Sequence, residues 1–147
     1  LRGSQKRDSA ALGLYRQTLA DTPSDVRAVA DLARLLALTK TGTDEAAQLI
    51  GRALKQAGPS PELLETQAIV FLASGQFGQS VAALNAALQE TETPRIHFYL
   101  ALAEWKSGNL QAARKHVDRA AKAGLVAQEI HPLQRDTYHE MVADIGE

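Results

Sequence analysis

Residues 61–124 contain nearly the same pair of helices written twice. The two copies read PELLETQAIVFLASGQFGQSVAALNAAL and PRIHFYLALAEWKSGNLQAARKHVDRAA, and their apolar positions, small residues and central Ser-Gly turns coincide. The pairs that match at one constant separation include Ala68 and Ala101, Gly75 and Gly108, and Leu84 and Val117. A helix pair of this size cannot bury its apolar face alone, so the copies must stack on one another. The duplication therefore predicts an all-α solenoid.

The second helix of this unit has two earlier counterparts in the chain. Its large apolar position is filled in turn by Tyr15, Ile50, Leu84 and Val117, and its small position by Thr18, Ala53, Ala87 and Ala120. The separation shortens slightly from each counterpart to the next, so the helices keep their length while the turns absorb the difference. We therefore expect a single domain, residues 1–147, built from stacked helix pairs.

Turn and capping signals set the limits of the repeat units. The predicted units are a half repeat at 8–21, full repeats at 24–59, 61–93 and 94–124, and a C-terminal capping helix at 132–145. Ser24 and Asp25 supply the predicted N-cap of one helix, and Thr43 or Asp44 that of the next. Residues 1–7 are polar and are expected to fray, and residues 125–131 are expected to connect the last repeat to the capping helix.

The array resembles tetratricopeptide repeats over about residues 8–124. The resemblance begins with the period, which is close to the roughly 34 residues of that family. The other features that carry it are a small residue within the first helix (Ala33, Ala68, Ala101), a Gly turn (Gly75, Gly108), a small residue early in the second helix (Ala11, Ala46, Ser80, Ala113), and Pro near the junctions (Pro23, Pro59, Pro94). The resemblance implies a right-handed α-α superhelix of about three and a half helix pairs plus the capping helix. It also implies a non-catalytic scaffold that binds a protein or a peptide on a concave face lined by the first helices.

The candidate binding residues are first-helix positions that packing does not use. They are Arg27, Arg34 and Leu38 on the earliest of these helices, Glu65, Ile69 and Leu72 on the next, and Arg95, Phe98, Leu102 and Trp105 on the last. Phe98, Leu102 and Trp105 follow one another at i, i+4 and i+7 and form a continuous ridge. Aromatic anchors of this kind are typical of peptide-binding grooves.

Two interpretations of these residues stay open. The ridge either contacts a ligand or packs beneath the capping helix through Tyr138, Met141 or Ile145. The three arginines either hold a carboxylate or phosphate, or belong to a solvated face and pair with Glu62 or Glu65. One subgroup of the resembling family clamps a terminal carboxylate with Lys, Arg and Asn. This region lacks the Asn and most of the Lys, so that clamp is not expected.

Composition and motifs argue against other classes of protein. Sixteen basic and seventeen acidic residues leave a net charge of −1, so no nucleic-acid partner is expected. No apolar run approaches the length of a membrane-spanning helix, and no membrane insertion is expected. The chain has no Cys, no HExxH and no GxSxG, which predicts no enzyme activity, no cofactor and no metal site. A metal site formed by His131, Asp136 and His139 is the alternative to three ordinary surface positions.

Two alternatives to a monomeric scaffold follow from the repeat pattern. The first helix, about residues 8–20, lacks the partner that would complete its pair, so one alternative is that it finds one in a neighbouring copy, giving a homo-oligomer. The other is that the chain is the repeat region of a longer enzyme or secretion component, at the cut end of a longer array. Frequent Arg and Ala are typical of a GC-rich bacterial source, and a soluble chain without Cys fits the cytoplasm and the periplasm alike.

Overall fold

The computed structural model describes residues 2–125 and 129–146, and these form eight α-helices without a strand. The helices are α1 (Arg2–Asp21), α2 (Val26–Thr39), α3 (Thr43–Ala57), α4 (Pro61–Ala73), α5 (Phe77–Glu90), α6 (Pro94–Lys106), α7 (Leu110–Lys122) and α8 (Pro132–Ile145). The predicted all-α class is confirmed. Part of the predicted connection at 125–131, residues 126–128, lies outside the described residues.

Three helix pairs stack in chain order. α2 packs on α3, α4 on α5 and α6 on α7, and each pair contacts the next through α2 with α4 and through α4 with α6. α1 packs against α2, and no helix precedes α1 among the described residues. The layers meet at small residues: Ala33, Ala68 and Ala101 are all fully buried at the middle of a first helix. Small side chains there let the helix backbones approach closely.

The residue immediately before each of the helices α2, α4 and α6 caps the helix N-terminus with its side chain. The carboxylate of Asp25, one of the two predicted capping residues, accepts a hydrogen bond from the Ala28 amide at 3.0 Å. Ser60 and Thr93 do the same for the amides of Leu63 and Ile96, at 3.3 and 3.1 Å. Each cap satisfies an amide that has no partner within its helix.

The predicted cap of α3 was wrong. The N-cap position is Gly42, which makes no side-chain cap, and Thr43 and Asp44 already lie inside the first turn. Asp44 and Glu45 are placed there with their charges near the positive end of the helix dipole, which is favourable. The helix therefore begins earlier than a side-chain cap at Thr43 or Asp44 would allow.

The turns inside the helix pairs share one backbone conformation. Gly75 and Gly108 have φ of 76° and 91°, the left-handed region that glycine adopts without a steric cost. Lys40 occupies the equivalent position in the α2–α3 turn, with φ of 56°. The α2–α3 turn therefore places a residue with a Cβ in the left-handed conformation.

The N-terminal segment differs from the prediction. α1 begins at Arg2, so residues 2–7 extend the helix instead of fraying as expected. Leu12, Tyr15 and Leu19 form one stripe of α1, and this stripe packs on the core. None of the helices in the described part of the chain is long and apolar enough to cross a membrane.

The C-terminal helix α8 does more than close the end of the stack. It packs against α7 and α6, and it also reaches α2. Met141 and Ile145 are its buried apolar residues, and the Arg114 Nε of α7 donates to the Ile145 carbonyl oxygen at 3.0 Å. α8 therefore crosses the face of the stack on which the first helices α2, α4 and α6 lie side by side.

Candidate functional site

The predicted binding residues come together on the face formed by α2, α4 and α6, here called the concave face. α8 divides this face into two parts. One part is covered by α8 and holds Leu38, Ile69, Leu72, Phe98, Leu102 and Trp105, and the other is open and holds Arg27, Arg34, Glu65 and Arg95. The predicted residues in the covered part are apolar, and those in the open part are charged.

The ridge on α6 lies under α8. Phe98 is only 2% exposed, and its ring meets the Tyr138 ring edge-on at a centroid distance of 5.8 Å. Trp105 is half-buried, and its indole Nε1 donates to Asp144 Oδ2 at 2.7 Å. These contacts are those of the alternative in which the ridge packs beneath the capping helix. A ligand could make extensive contact with Phe98 only after α8 moved, whereas part of Trp105 is accessible as it stands. The binding role of the ridge stays a prediction.

A small cavity of about 140 Å³ remains between α8 and the covered part of the face. Its walls come from all four helices and include Leu38 of α2, Ile69 and Leu72 of α4, Leu102 of α6 and Leu133 of α8. Lys40 and Lys106 lie at the same cavity. α8 therefore adds Leu133 to a cavity wall that otherwise consists of residues from α2, α4 and α6.

The open part of the face surrounds a larger cavity of about 730 Å³ between α2 and α4. Its charged lining consists of Arg27, Asp31, Arg34, Glu62, Glu65 and Arg95, and Val26, Ala30 and Leu63 add apolar surface. Three cations and three anions balance within one cavity. Such a lining suits a ligand with charges of both signs better than a simple anion.

Two ion pairs hold part of this lining in place. Arg95 binds the buried Glu65 carboxylate through two hydrogen bonds, of 2.6 Å from Nε and 3.2 Å from a terminal nitrogen. Arg34 pairs with Asp31 at 2.6 Å, one helical turn away. Burial raises the pKa of the neighbouring Tyr99 phenol, which therefore stays neutral. Arg27 is exposed and forms no ion pair within the described residues.

The segment just before α8 joins the two parts of the face. Ile130 is buried, and with His131 and Glu129 it closes a cavity of about 130 Å³ against Arg34 and Phe98. The His131 Nδ1 accepts a hydrogen bond from the Leu133 amide at 3.2 Å and so caps α8. Burial lowers the pKa of His131, which favours the neutral form that accepts this bond.

Sequence reasoning missed the residues that α8 and its leading segment bring to this face. Ile130 and Leu133 showed only ordinary helix and turn patterns, and His131 was considered only as a metal ligand. Their place depends on the path of the chain after the last repeat. Asp31 could have been found, because it lies one turn before Arg34 on the same helix. Tyr99 had no signal beyond a buried aromatic residue.

A second cluster, away from the concave face, joins α6 and α7. The fully buried His97 lies 2.8 Å from Glu92 through Nε2 and 3.1 Å from the Nδ1 of His116 through its own Nδ1. Because a carboxylate only accepts, the His97 Nε2 carries a proton, and between the two Nδ1 atoms one imidazole donates to the other. Burial, and then the neighbouring His97, lower the pKa of His116 to about 4. The sequence spacing of the two histidines gave no hint of this contact.

No group of three or more His, Asp or Glu side chains in the described ranges is arranged to hold a metal ion. The alternative site at His131, Asp136 and His139 is therefore not assembled, since the His131 ring caps α8 instead.

Comparisons with known proteins agree with this geometry. The family profile of the tetratricopeptide repeat matches residues 7–61 and 65–125. None of the curated protein sequences compared with the chain matches it significantly. The profile thus runs from within α1 to the end of α7, apart from residues 62–64 of α4, and leaves α8 outside the matched repeats.

Solved structures of similar fold come from several bacteria. A thermophilic tetratricopeptide repeat protein of Thermus thermophilus is 19% identical, with a TM-score of 0.73 over 95% of this chain and 75% of that chain. Pseudomonas aeruginosa pilF is 19% identical, with a TM-score of 0.59 over 90% of this chain and 63% of that one. A Parabacteroides merdae tetratricopeptide repeat protein is 12% identical, with a TM-score of 0.58 over 99% of this chain and 67% of that one. The likeness confirms the predicted superhelical solenoid, and the chain belongs to the tetratricopeptide repeat family.

Proposed function

We propose that this chain is a non-catalytic scaffold that binds a segment of a partner protein in the open part of its concave face. The family generally serves as a protein-interaction scaffold, and the proposal narrows that role to one surface. The contact residues would be Arg27, Arg34, Glu62 and Arg95, around the cavity of about 730 Å³.

The observation that carries the proposal is the position of α8. A helix already lies across this face and takes up its apolar part through Tyr138 against Phe98 and Leu133 beside Leu102. The face is therefore wide enough for a helix or an extended segment, and its other part is open. Because the first helices are fixed by stacking, little ordering would be needed when a partner binds.

The charges of the open part indicate which segment fits. Arg27 is an exposed cation on α2, and Glu62 an exposed anion at the equivalent position of α4. Glu65 and Arg95 neutralise each other, so they shape the cavity more than they attract a ligand. A partner segment with at least one acidic and one basic side chain would complement Arg27 on the α2 wall of the cavity and Glu62 on the α4 wall. These charges would mainly set the orientation of the segment and its association rate.

Affinity capture with matched variants tests this proposal. The full chain would be immobilised and exposed to a lysate of its source organism, with bound proteins quantified by mass spectrometry. Arg27→Glu reverses a charge in the cavity, and Arg52→Glu makes the same change at an exposed position of α3 outside it. We expect a partner that wild type and Arg52→Glu retain and that Arg27→Glu loses by about tenfold or more.

Two outcomes of this experiment would contradict the proposal. If Arg27→Glu, folded by circular dichroism, retains the same proteins in the same amounts as Arg52→Glu, the open part of the concave face is not the binding surface. Loss of the partner from both variants would point to a general charge effect and would also overturn the proposal.

A further inference from the structure

The exposed face of α7 carries a cluster of cations. Lys115, Arg119 and Lys122 follow one another at i, i+4 and i+7, and all three are exposed. Asp118 lies among them, and we call these four residues the α7 patch. Their side chains stand around an open depression of about 380 Å³ that is lined, in the described part of the chain, by α7 alone. With Arg114 at its edge, this surface has four cations and one anion, on a chain whose net charge is −1.

The charges of the α7 patch are not neutralised within the molecule. None of the ion pairs in residues 2–125 and 129–146 includes a member of the patch. Arg114 is left out of the patch, because its Nε already donates to a backbone carbonyl of α8. Burial and His97 lower the pKa of His116, and the charges of Lys115 and Arg119 lower it further. The patch therefore presents a positive potential to its surroundings.

The repeat shows that packing does not require these cations. The three equivalent positions of α5 are exposed as well and carry no charge: Ala82, Ala86 and Gln89. α3 keeps two of the cations, Arg52 and Lys55, but it has two acidic residues in its first turn, where α7 has none. The excess of positive charge is thus particular to α7 and is not a property of the second helices in general.

The outer face of α7 is open because of its own residues. In α5, which another repeat follows, Val81 and Leu88 are partly buried against the core. The equivalent residues of α7 are Arg114 and Ala121, and both are exposed. α7 therefore lacks the large apolar side chains that α5 has at this place, and its outer surface is polar by sequence.

We propose that the α7 patch binds an acidic helical segment of a partner protein, laid along α7. Carboxylates at i, i+4 and i+7 of that segment would face the three cations, which span about 10 Å of the α7 axis, and a basic residue at i+3 would face Asp118. Because the charges are exposed, binding is weak and falls as salt is added. The patch is separate from the open part of the concave face, so the inference holds whether or not a partner binds there.

The lining of the depression favours a protein over other acidic ligands. It consists of Arg, Lys, Gln and Asp side chains only. A nucleic acid strand would find no aromatic side chain to stack on, and Asp118 would repel its phosphates. A membrane surface would find no apolar side chain to take up between the cations.

An acidic helical peptide tests the surface directly. The probe is an Ala-rich peptide with Glu at i, i+4 and i+7 and Lys at i+3, and its affinity is measured by fluorescence anisotropy at low ionic strength. Arg119→Glu with Lys122→Glu reverses two charges of the patch, and Arg52→Glu with Lys55→Glu makes the same changes at the equivalent positions of α3. We expect the α7 variant to bind about tenfold or more weakly than wild type and the α3 variant. Equal affinities of the two double variants, or no measurable binding by wild type, would overturn the proposal.

Single-stranded DNA and vesicles containing phosphatidylserine are the competing probes. At equal ionic strength we expect wild type to bind each of them more weakly than it binds the peptide. Tighter binding of either probe, lost when Arg119 and Lys122 are changed to Glu, would show that the patch recognises phosphates and would overturn the choice of a protein partner.

Carbodiimide cross-linking identifies the native partner. This reagent joins a lysine amine to a carboxylate in contact with it. In a nuclease-treated lysate of the source organism, the wild-type chain should give cross-links from Lys115 or Lys122 to an acidic helix of another protein. Arg27→Glu should retain these cross-links even where it loses a partner of the concave face, so the two proposals fail separately. No cross-links at either lysine, or equally many at Lys55 of α3, would overturn the proposal.

Discussion

Phe98 of α6 and Tyr138 of α8 meet edge-on with their ring centroids 5.8 Å apart. An aromatic residue that the sequence places among the groove-facing positions is thus held by the chain's own C-terminal helix. The same helix supplies Asp144 to the Trp105 indole. α8 therefore packs on side chains that the sequence predicted as ligand contacts, and it stabilises the last repeat through them.

Met141→Ala is expected to destabilise the protein by about 2 to 5 kcal/mol. Met141 is fully buried on the inner side of α8, so its removal leaves a cavity between α8 and the stack. Urea unfolding followed by circular dichroism measures the change. Glu140→Ala, at the exposed neighbouring position, should alter the free energy of unfolding by less than about 0.5 kcal/mol. A Met141→Ala protein as stable as that control would mean that α8 adds nothing to the core.

The sequence predicted the stack well because its signal is local and repeated. Ala68 and Ala101 each mark a helix crossing, and Gly75 and Gly108 each mark a turn, so every copy supports the same assignment. The path of α8 could not be predicted in this way. Its contact with α2 joins residues far apart in the chain and has no counterpart in an earlier repeat. The contact between the two histidines of α6 and α7 was missed for a related reason, since it occurs in one repeat only.

Lys40→Gly is expected to stabilise the protein by about 1 kcal/mol. Lys40 has φ of 56°, and a left-handed backbone costs a residue with a Cβ roughly 1 to 2 kcal/mol, part of which glycine loses again through its freer unfolded chain. Gly75→Ala is the reciprocal change at the equivalent turn. A Cβ at Gly75 would meet no atom within 4 Å, so any loss of stability there comes from the backbone alone. Thermal unfolding measures the stability of both variants. A change in stability of the same sign for Lys40→Gly and Gly75→Ala would contradict this account.

Arg95→Met is expected to lower the free energy of unfolding by about 1 to 2 kcal/mol. It leaves the Glu65 carboxylate, whose side chain is 9% exposed, without its cation and beside the buried Tyr99. The loss is smaller than for a fully buried pair because the Arg95 side chain is 53% exposed. Adding Glu65→Gln to Arg95→Met removes the stranded charge and should recover part of the loss in urea unfolding. If the double variant is the less stable of the two, the carboxylate is not the source of the cost.

The free energy of unfolding is expected to fall as the pH drops from about 6.5 towards 4. The pKa of His116 is lowered from 6.5 to about 4 in the folded protein by burial and by His97. In this range the unfolded chain therefore binds a proton that the folded chain does not, and stability is lost as the pH falls. Urea unfolding at several pH values measures the slope. His116→Gln should reduce the slope without abolishing it, because burial also lowers the pKa of His131. His139→Gln, at an exposed position of α8, should leave it unchanged. Equal slopes for wild type and His116→Gln would show that another group governs the acid sensitivity.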